Sequence, residues 1–279
     1  MQALAGKVAV VTGGGSGIGR GMALAFADSG MHVALADVDL PAAERVRAEV
    51  EQRGVRGLAL RIDVSSRAEV EVLAEKTFAE LGGAHLICNN AGVAIVGPLD
   101  AMSDADWHWT LAVNLDGVVH GLQAFLPRLR AQGQGGHIVN TASMAGHFCV
   151  AGLAAYHTTK FAVVGLSEAL ELELTPHGIG VSVLCPGLVR TQIFDAGRNR
   201  PTRFGGLRPP DPNAVAMLDQ LGIDPERVGR EVRDAVVRGD FYIFTHPEMR
   251  SLVDARFARI QAAFDAATAR EAARVNAPS

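Results

Sequence analysis

The chain of 279 residues is 48% hydrophobic and 20% charged, a globular balance that excludes a disordered chain and leaves room for a sizeable core. A formal charge of -4 without a dense Lys/Arg run, and an aromatic share of only 5%, exclude the footprint of a nucleic-acid binder and give no handle for an anionic membrane. Three cysteines, Cys88, Cys149 and Cys185, lack CxxC spacing, so neither a disulfide framework nor a metal site is expected, and no run of about 18 apolar residues reads as a membrane span.

In chain order, 8–12 reads as a strand, a glycine-rich turn follows, and 17–29 carries apolar residues at helical three- and four-residue spacing. The alternation continues with a strand at 32–36, a helix at 42–53, a strand at 58–62, a helix at 67–81 capped by Ser66, and a strand at 86–89. Next come one helix over 107–130, a strand at 137–141, a helix at 156–175 and a strand at 181–185. A helix at 226–238, a last strand at 241–244 and a closing helix at 248–272 complete the pattern. Strands that are apolar throughout suit a parallel sheet covered on both faces by helical crossovers. The expected fold is therefore α/β, a doubly wound Rossmann sheet of about seven mostly parallel strands, with ligands bound at the strands' carboxyl ends where strand order reverses. No repeat or linker divides residues 1–279, so a single domain is expected. It would carry a mobile substrate loop at about 191–213, where four prolines gather, and a C-terminal extension at about 245–279. The cysteine usage and the short apolar stretch ahead of Gly13 suit a soluble, unprocessed, cytoplasmic protein.

The turn Thr12-Gly13-Gly14-Gly15-Ser16-Gly17-Ile18-Gly19 joins the first strand to the first helix. Glycines there permit a tight turn and let a pyrophosphate approach the backbone, while the helix N-terminus offers free N–H groups and its positive dipole end. Asp37 ends the second strand about 20 residues on, where a carboxylate can accept hydrogen bonds from an adenosine ribose and repel a 2′-phosphate. No Arg or Lys stands at Val38 or Ser16 to receive that phosphate, which favours NAD over NADP. The competing reading of Asp37 is a turn former leading to Asp39 and Pro41.

Tyr156 and Lys160 are four positions apart in a helical segment and so share a face, about one turn from each other. A phenol of pKa ~10 is a poor base at neutral pH, and a neighbouring ammonium favours its phenolate, so the pair can work as an acid/base. The plainer alternative is the edge of an amphipathic helix. Ser143 follows the fifth strand, where an active-site hydroxyl would lie in an open α/β sheet.

Taken together, residues 12–19, Asn89-Asn90-Ala91-Gly92, Asn114, Ser143, Tyr156-His157-Thr158-Thr159-Lys160 and Pro186-Gly187 resemble the short-chain dehydrogenase/reductase family, over about residues 7–191. The resemblance implies that Tyr156 donates or accepts a proton, that Ser143 orients the alcohol or carbonyl, that Lys160 also holds the nicotinamide ribose and that Asn114 holds a water in the proton relay. It implies cofactor contacts from Gly13, Ser16, Gly17, Ile18 and Gly19, and from Asp37. Asp63 and Val64 would meet the adenine, Asn90, Ala91 and Gly92 would line the adenosine side, and Pro186, Gly187, Val189 and Thr191 would frame the nicotinamide. The expected activity is NAD-dependent hydride transfer between the nicotinamide and a secondary alcohol or ketone. Ala94, Val96, Met144, His147, Phe148 and Phe194 would border a largely apolar substrate pocket, with His147 alternatively a surface or hydrogen-bonded residue. Helices 107–130 and 156–175 pair subunits in such proteins, implying a homodimer or homotetramer. The extended end, with Tyr242-Ile243 and His246-Pro247-Glu248, is similar to a branch containing bacterial dehydrogenases of lignin-derived aryl ethers and other bulky alcohols.

Two rival functions use the same scaffold. One is an NADPH-dependent reductase of ketones or 3-oxoacyl thioesters, and Asp37 argues against it. The other is a non-catalytic NAD-binding regulatory protein, whose mark would be loss of the reacting groups, whereas Ser143, Tyr156 and Lys160 are all present. Arg190, Arg198, Arg200, Arg203 and Arg208 either recognise a carboxylate or phosphate-bearing tail or are simply solvated. Trp107 and Trp109 suit core or subunit packing.

Overall fold

Short apolar runs pair side by side because most of them cannot leave either face in water, and the amphipathic segments between them supply the cover, with only the two edge strands partly open to solvent. The computed structural model describes residue 1 and residues 3–275, which group into two compact units, Met1–Thr245 and the segment from His246 onward. In the first unit the order is β1 (Val8–Thr12), α1 (Gly17–Ala27), β2 (His32–Asp37), α2 (Leu40–Glu51), β3 (Gly57–Arg61), α3 (Arg67–Leu81) and β4 (Leu86–Asn89). There follow α4 (Asp104–Leu111), α5 (Gly117–Gln132), β5 (Gly136–Thr141), α6 (Ala154–Leu174), β6 (Ile179–Cys185), α7 (Pro212–Leu221), α8 (Pro225–Arg238) and β7 (Tyr242–Phe244). The strands form one 7-stranded sheet in the order β3-β2-β1-β4-β5-β6-β7, with every neighbouring pair parallel.

Met22 and Phe26 of α1, Val46 and Val50 of α2, and Val228, Val232 and Val236 of α8 bury one face of the sheet in a cluster with Val11, Leu35, Leu184 and Ile243. Helices α3, α5 and α6 pack over the other face. Between α1 and α8 the backbones nearly touch: a Cβ on Gly229 would lie 2.1 Å from the Gly21 carbonyl oxygen, so only glycine fits the crossing.

The single helix expected over 107–130 is two helices. A capping box, in which Ser103 and Asp106 exchange side-chain and backbone hydrogen bonds, starts α4 early. A π turn, Ala112–Asp116, then separates α4 from α5, and Gly133 at φ 68° ends α5. The stretch 191–213 carries two 3-10 turns, Ile193–Asn199 and Thr202–Phe204, and α7 starts at its end, where the Asp211 side chain caps the backbone N–H groups of Asn213 and Ala214. In the second unit a 3-10 turn, Pro247–Met249, leads into α9 (Arg250–Val275), with Leu252, Phe257 and Phe264 exposed. Positions 276–279 of the expected C-terminal extension lie outside the described residues. No helix among the described residues is long and apolar enough to cross a membrane.

Candidate active site

Strand order reverses between β1 and β4, and the glycine turn lies at the crevice this opens at the strands' carboxyl ends. Gly13 and Gly17 have φ of 64° and 51°, a left-handed backbone that side chains resist. A Cβ on Gly13 would come within 2.9 Å of Ala91 Cα, and one on Gly19 within 2.0 Å of the Gly13 carbonyl oxygen. The bare turn leaves the start of α1 open, for Ser16 occupies the cap position without making a side-chain cap hydrogen bond. Uncapped N–H groups at a helix N-terminus beside a cradle of glycines fit a pyrophosphate. Ile18, partly buried, packs against the core beneath. Asp37 Oδ1 accepts from Asp39 N at 3.0 Å, as the turn-former reading expects, and Oδ2 accepts from Gly15 N at 2.9 Å, which sets the carboxylate beside the glycine turn.

The opposite wall is the chain leaving β4. Thr12 Oγ1 accepts from Asn90 N at 2.9 Å and Ala91 N at 3.1 Å, and Asn90 Nδ2 donates to the Thr12 carbonyl at 2.9 Å. Asn90 Oδ1 accepts from Thr141 Oγ1 at 3.3 Å, so this chain is clamped between the ends of β1 and β5. Asn114, buried in the π turn, continues the clamp. Its Oδ1 accepts from Val93 N at 2.8 Å, and its Nδ2 donates to the Val93 carbonyl at 2.9 Å and to Thr159 Oγ1 at 3.2 Å. A π turn widens the helix by one residue and is common at functional positions. Gly92 lies between this amide and the lysine: a Cβ on it would be 3.5 Å from Asn114 Oδ1 and 3.7 Å from Lys160 Nζ.

Lys160 is 2% exposed, and its ammonium donates to the Thr141 carbonyl at 2.8 Å and lies 5.4 Å from the centre of the Tyr156 ring. Burial lowers the Lys160 pKa to about 8, against an opposing pull from Cys185. Burial also raises the Tyr156 pKa to about 12, against a downward pull from the Ser143 hydroxyl. The expected lowering of the phenol is therefore not found, because lost hydration outweighs the one downward influence on it, the Ser143 hydroxyl. Ser143 opens the turn Met144–Gly146; its hydroxyl donates to the Pro186 carbonyl at 3.2 Å and accepts from Ala145 N at 3.1 Å. A protonated phenol, a rotatable hydroxyl and a buried ammonium thus share one end of the sheet.

The remaining expected residues divide. Thr191 crosses the glycine turn, where a Cβ on Gly17 would lie 2.9 Å from Thr191 Cγ2, and Val189 is buried and bridges to Ile223. Pro186 also receives Met144 N at 2.9 Å, and Gly187 leads from it toward that bridge. Val64 packs against Gly117. Asp63 is buried and already engaged by Ser65 and Arg203. Ala94 and Met144 are buried, while Val96, Phe148 and Phe194 are partly so. His147 turns to the sheet edge, with Nε2 3.2 Å from Cys185 Sγ and its ring edge-on to Tyr242 and Phe244. The side chains of Thr12 and Thr159 and the carbonyl of Thr141 belong to the site without having been singled out. The two side chains lie inside recognisable motifs, but a carbonyl that seats an ammonium has no sequence signature. Among the described residues no group of three or more His, Cys, Asp or Glu is placed to hold a metal ion.

A doubly wound parallel sheet whose glycine turn, tyrosine, lysine and serine meet at one crevice defines a dinucleotide-dependent oxidoreductase. Comparison with known proteins specifies the family. The family model described as short chain dehydrogenase matches residues 7–201. A C alpha-dehydrogenase from Sphingobium sp. is 33% identical over 259 residues, 91% of this chain and 85% of that protein. A 1-deoxy-11-beta-hydroxypentalenate dehydrogenase from Streptomyces exfoliatus is 35% identical over 246 residues, covering 88% and 84%. The crystal structure of a short-chain dehydrogenase/reductase from Burkholderia phymatum in complex with NAD is 38% identical, with a TM-score of 0.87 over 94% of this chain and 96% of that one. The chain belongs to the short-chain dehydrogenase family and is an oxidoreductase.

Proposed function

We infer that this protein is an NAD-dependent dehydrogenase of a bulky, largely apolar secondary alcohol, or the reductase of its ketone. The observation that carries this reading is the buried Lys160 ammonium, fixed by the Thr141 carbonyl between the Tyr156 ring and Gly92. A bound nicotinamide would supply the hydride-exchange chemistry, for which no side chain here has the electrons. Tyr156 Oη gives its proton to the carbonyl oxygen in reduction and takes one from the hydroxyl in oxidation. Ser143 Oγ turns its proton from the Pro186 carbonyl to the same oxygen and orients it. Asn114 fixes the Gly92–Val93 backbone beside Nζ, keeping the ammonium's surroundings rigid, and a water held there would complete the proton relay. Gly13 to Gly19 and the α1 N-terminus hold the pyrophosphate, and the Asp37 carboxylate favours a free ribose hydroxyl over a 2′-phosphate. Ala94, Val96, Met144, Phe148 and Phe194 supply apolar surface, and a relative named for a hydroxypentalenate supports a hydroxyl-bearing substrate.

Initial rates with NAD and NADP over a panel of aromatic, alicyclic and steroidal alcohols test this reading. Faster turnover with NAD and a preference for bulky neutral alcohols are expected, and Tyr156→Phe should lower turnover by ~10² or more. A preference for NADPH with charged acyl thioesters, or near-normal turnover of the phenylalanine variant, would reject it.

A further inference from the structure

Arg203 stands on the turn Thr202–Phe204, 140 positions from the carboxylate it grips. One guanidinium nitrogen, Nη2, donates to Asp63 Oδ2 at 2.6 Å and to Ser65 Oγ at 2.7 Å. Asp63 lies two residues beyond β3, whose last residue, Arg61, is in register with Asp37 of β2, and Ile62 N donates to the Asp37 carbonyl at 3.0 Å. Asp63 is therefore farther out than Asp37 along the β1-β2-β3 half of the crevice, the half in which a doubly wound sheet seats the adenosine of a dinucleotide. The segment that bears Arg203 thus reaches both parts of that half, with Thr191 on the glycine turn and Arg203 at Asp63. Its path is held from beneath by Asp106, which receives Arg200 at 2.7 Å and Arg208 at 2.8 Å.

The pairing does not use up the guanidinium. Asp63 is satisfied, with Oδ1 taking the Ser65 N–H and hydroxyl and Oδ2 taking Arg203. The Arg203 side chain remains 53% exposed, its guanidinium carbon is 4.8 Å from the centre of the Phe204 ring, and both bonds come from Nη2 alone. A planar cation held by one corner beside an aromatic ring offers a stacking face and spare N–H donors, the two means by which arginine binds a heteroaromatic base.

We propose that Arg203 is a cofactor-binding residue for the adenine ring, held in place by Asp63 and Ser65. The proposal rests on the dinucleotide reading of the crevice, and the test separates the two. Binding of ADP-ribose, NADH and reduced nicotinamide mononucleotide is measured by calorimetry on the full chain, with no turnover needed. Arg203→Ala should weaken ADP-ribose and NADH by the same factor, on the order of fivefold for a half-exposed cation, and leave the mononucleotide unchanged. Arg203→Lys, which keeps the charge but loses the plane, should recover only part of that loss. Equal ADP-ribose affinity in wild type and Arg203→Ala overturns the proposal and leaves the dinucleotide reading intact. Tighter ADP-ribose binding by Arg203→Ala also overturns it, since the arginine would then compete with the base for Asp63. Failure of the wild type itself to bind ADP-ribose or NADH overturns both.

Discussion

Tyr156 meets two opposed influences, and their balance sets a pH dependence. Packing around the phenol holds its pKa at about 12, so the phenol form dominates at neutral pH. Reduction of a ketone consumes the phenol form and should be nearly independent of pH between about 6 and about 8, below the loss of the Lys160 proton. Oxidation needs the basic form, whose fraction grows with every unit below about 12, so alcohol oxidation should accelerate toward alkaline pH. The rise should be less than tenfold per unit above pH about 8, where Lys160 loses its proton and with it the charge that favours the phenolate. Initial rates in both directions across this range check the asymmetry; oxidation as flat as reduction would show that Tyr156 is not the titrating base. Tyr156, Lys160 and Ser143 are singled out in the sequence by the family resemblance, since a tyrosine and a lysine at helical spacing alone fit the edge of an amphipathic helix as well. The upward shift of the phenol was not legible there, since it depends on how distant elements pack around a ring that keeps part of its surface in water.

At the scale of elements, α4 is an anchor as well as a crossover. Asp106 closes its capping box and also receives Arg200 and Arg208 from the 191–213 stretch, with the Arg200 side chain only 6% exposed and lying over the Trp109 ring. Asp106→Ala would leave that arginine buried without its carboxylate, at a cost of about 3–5 kcal/mol. Urea unfolding should show this loss, whereas a change below about 1 kcal/mol would mean that the arginine escapes to water. Neither the break in the 107–130 helix nor this anchor was readable in advance. Apolar spacing continues across a π turn, and an arginine that becomes buried has the same sequence signature as one that stays in solvent. Strand positions, by contrast, were read to within two residues, because a run that is apolar on both faces has few places to go.

At the scale of the whole molecule, we propose a homodimer or homotetramer built on α5 and α6. Leu172 of α6 is 78% exposed, an apolar side chain that a second copy would cover. Light scattering should give a mass about two or four times the 29.3 kDa of one chain, and Leu172→Glu should shift it toward the monomer. A wild-type mass equal to a single chain would dispose of the proposal. The amino-acid sequence alone determined the parallel doubly wound sheet, the glycine cradle and the tyrosine–lysine–serine group, because each is written in local periodicity or in short motifs whose physics is local. Only the tertiary structure decided that Asp63 is gripped by Arg203, that Asn114 braces Val93, and that burial moves Tyr156 and Lys160 apart in pKa, the phenol up and the ammonium down. These depend on which distant groups share a space and on how much water is left between them, and a linear pattern carries neither quantity.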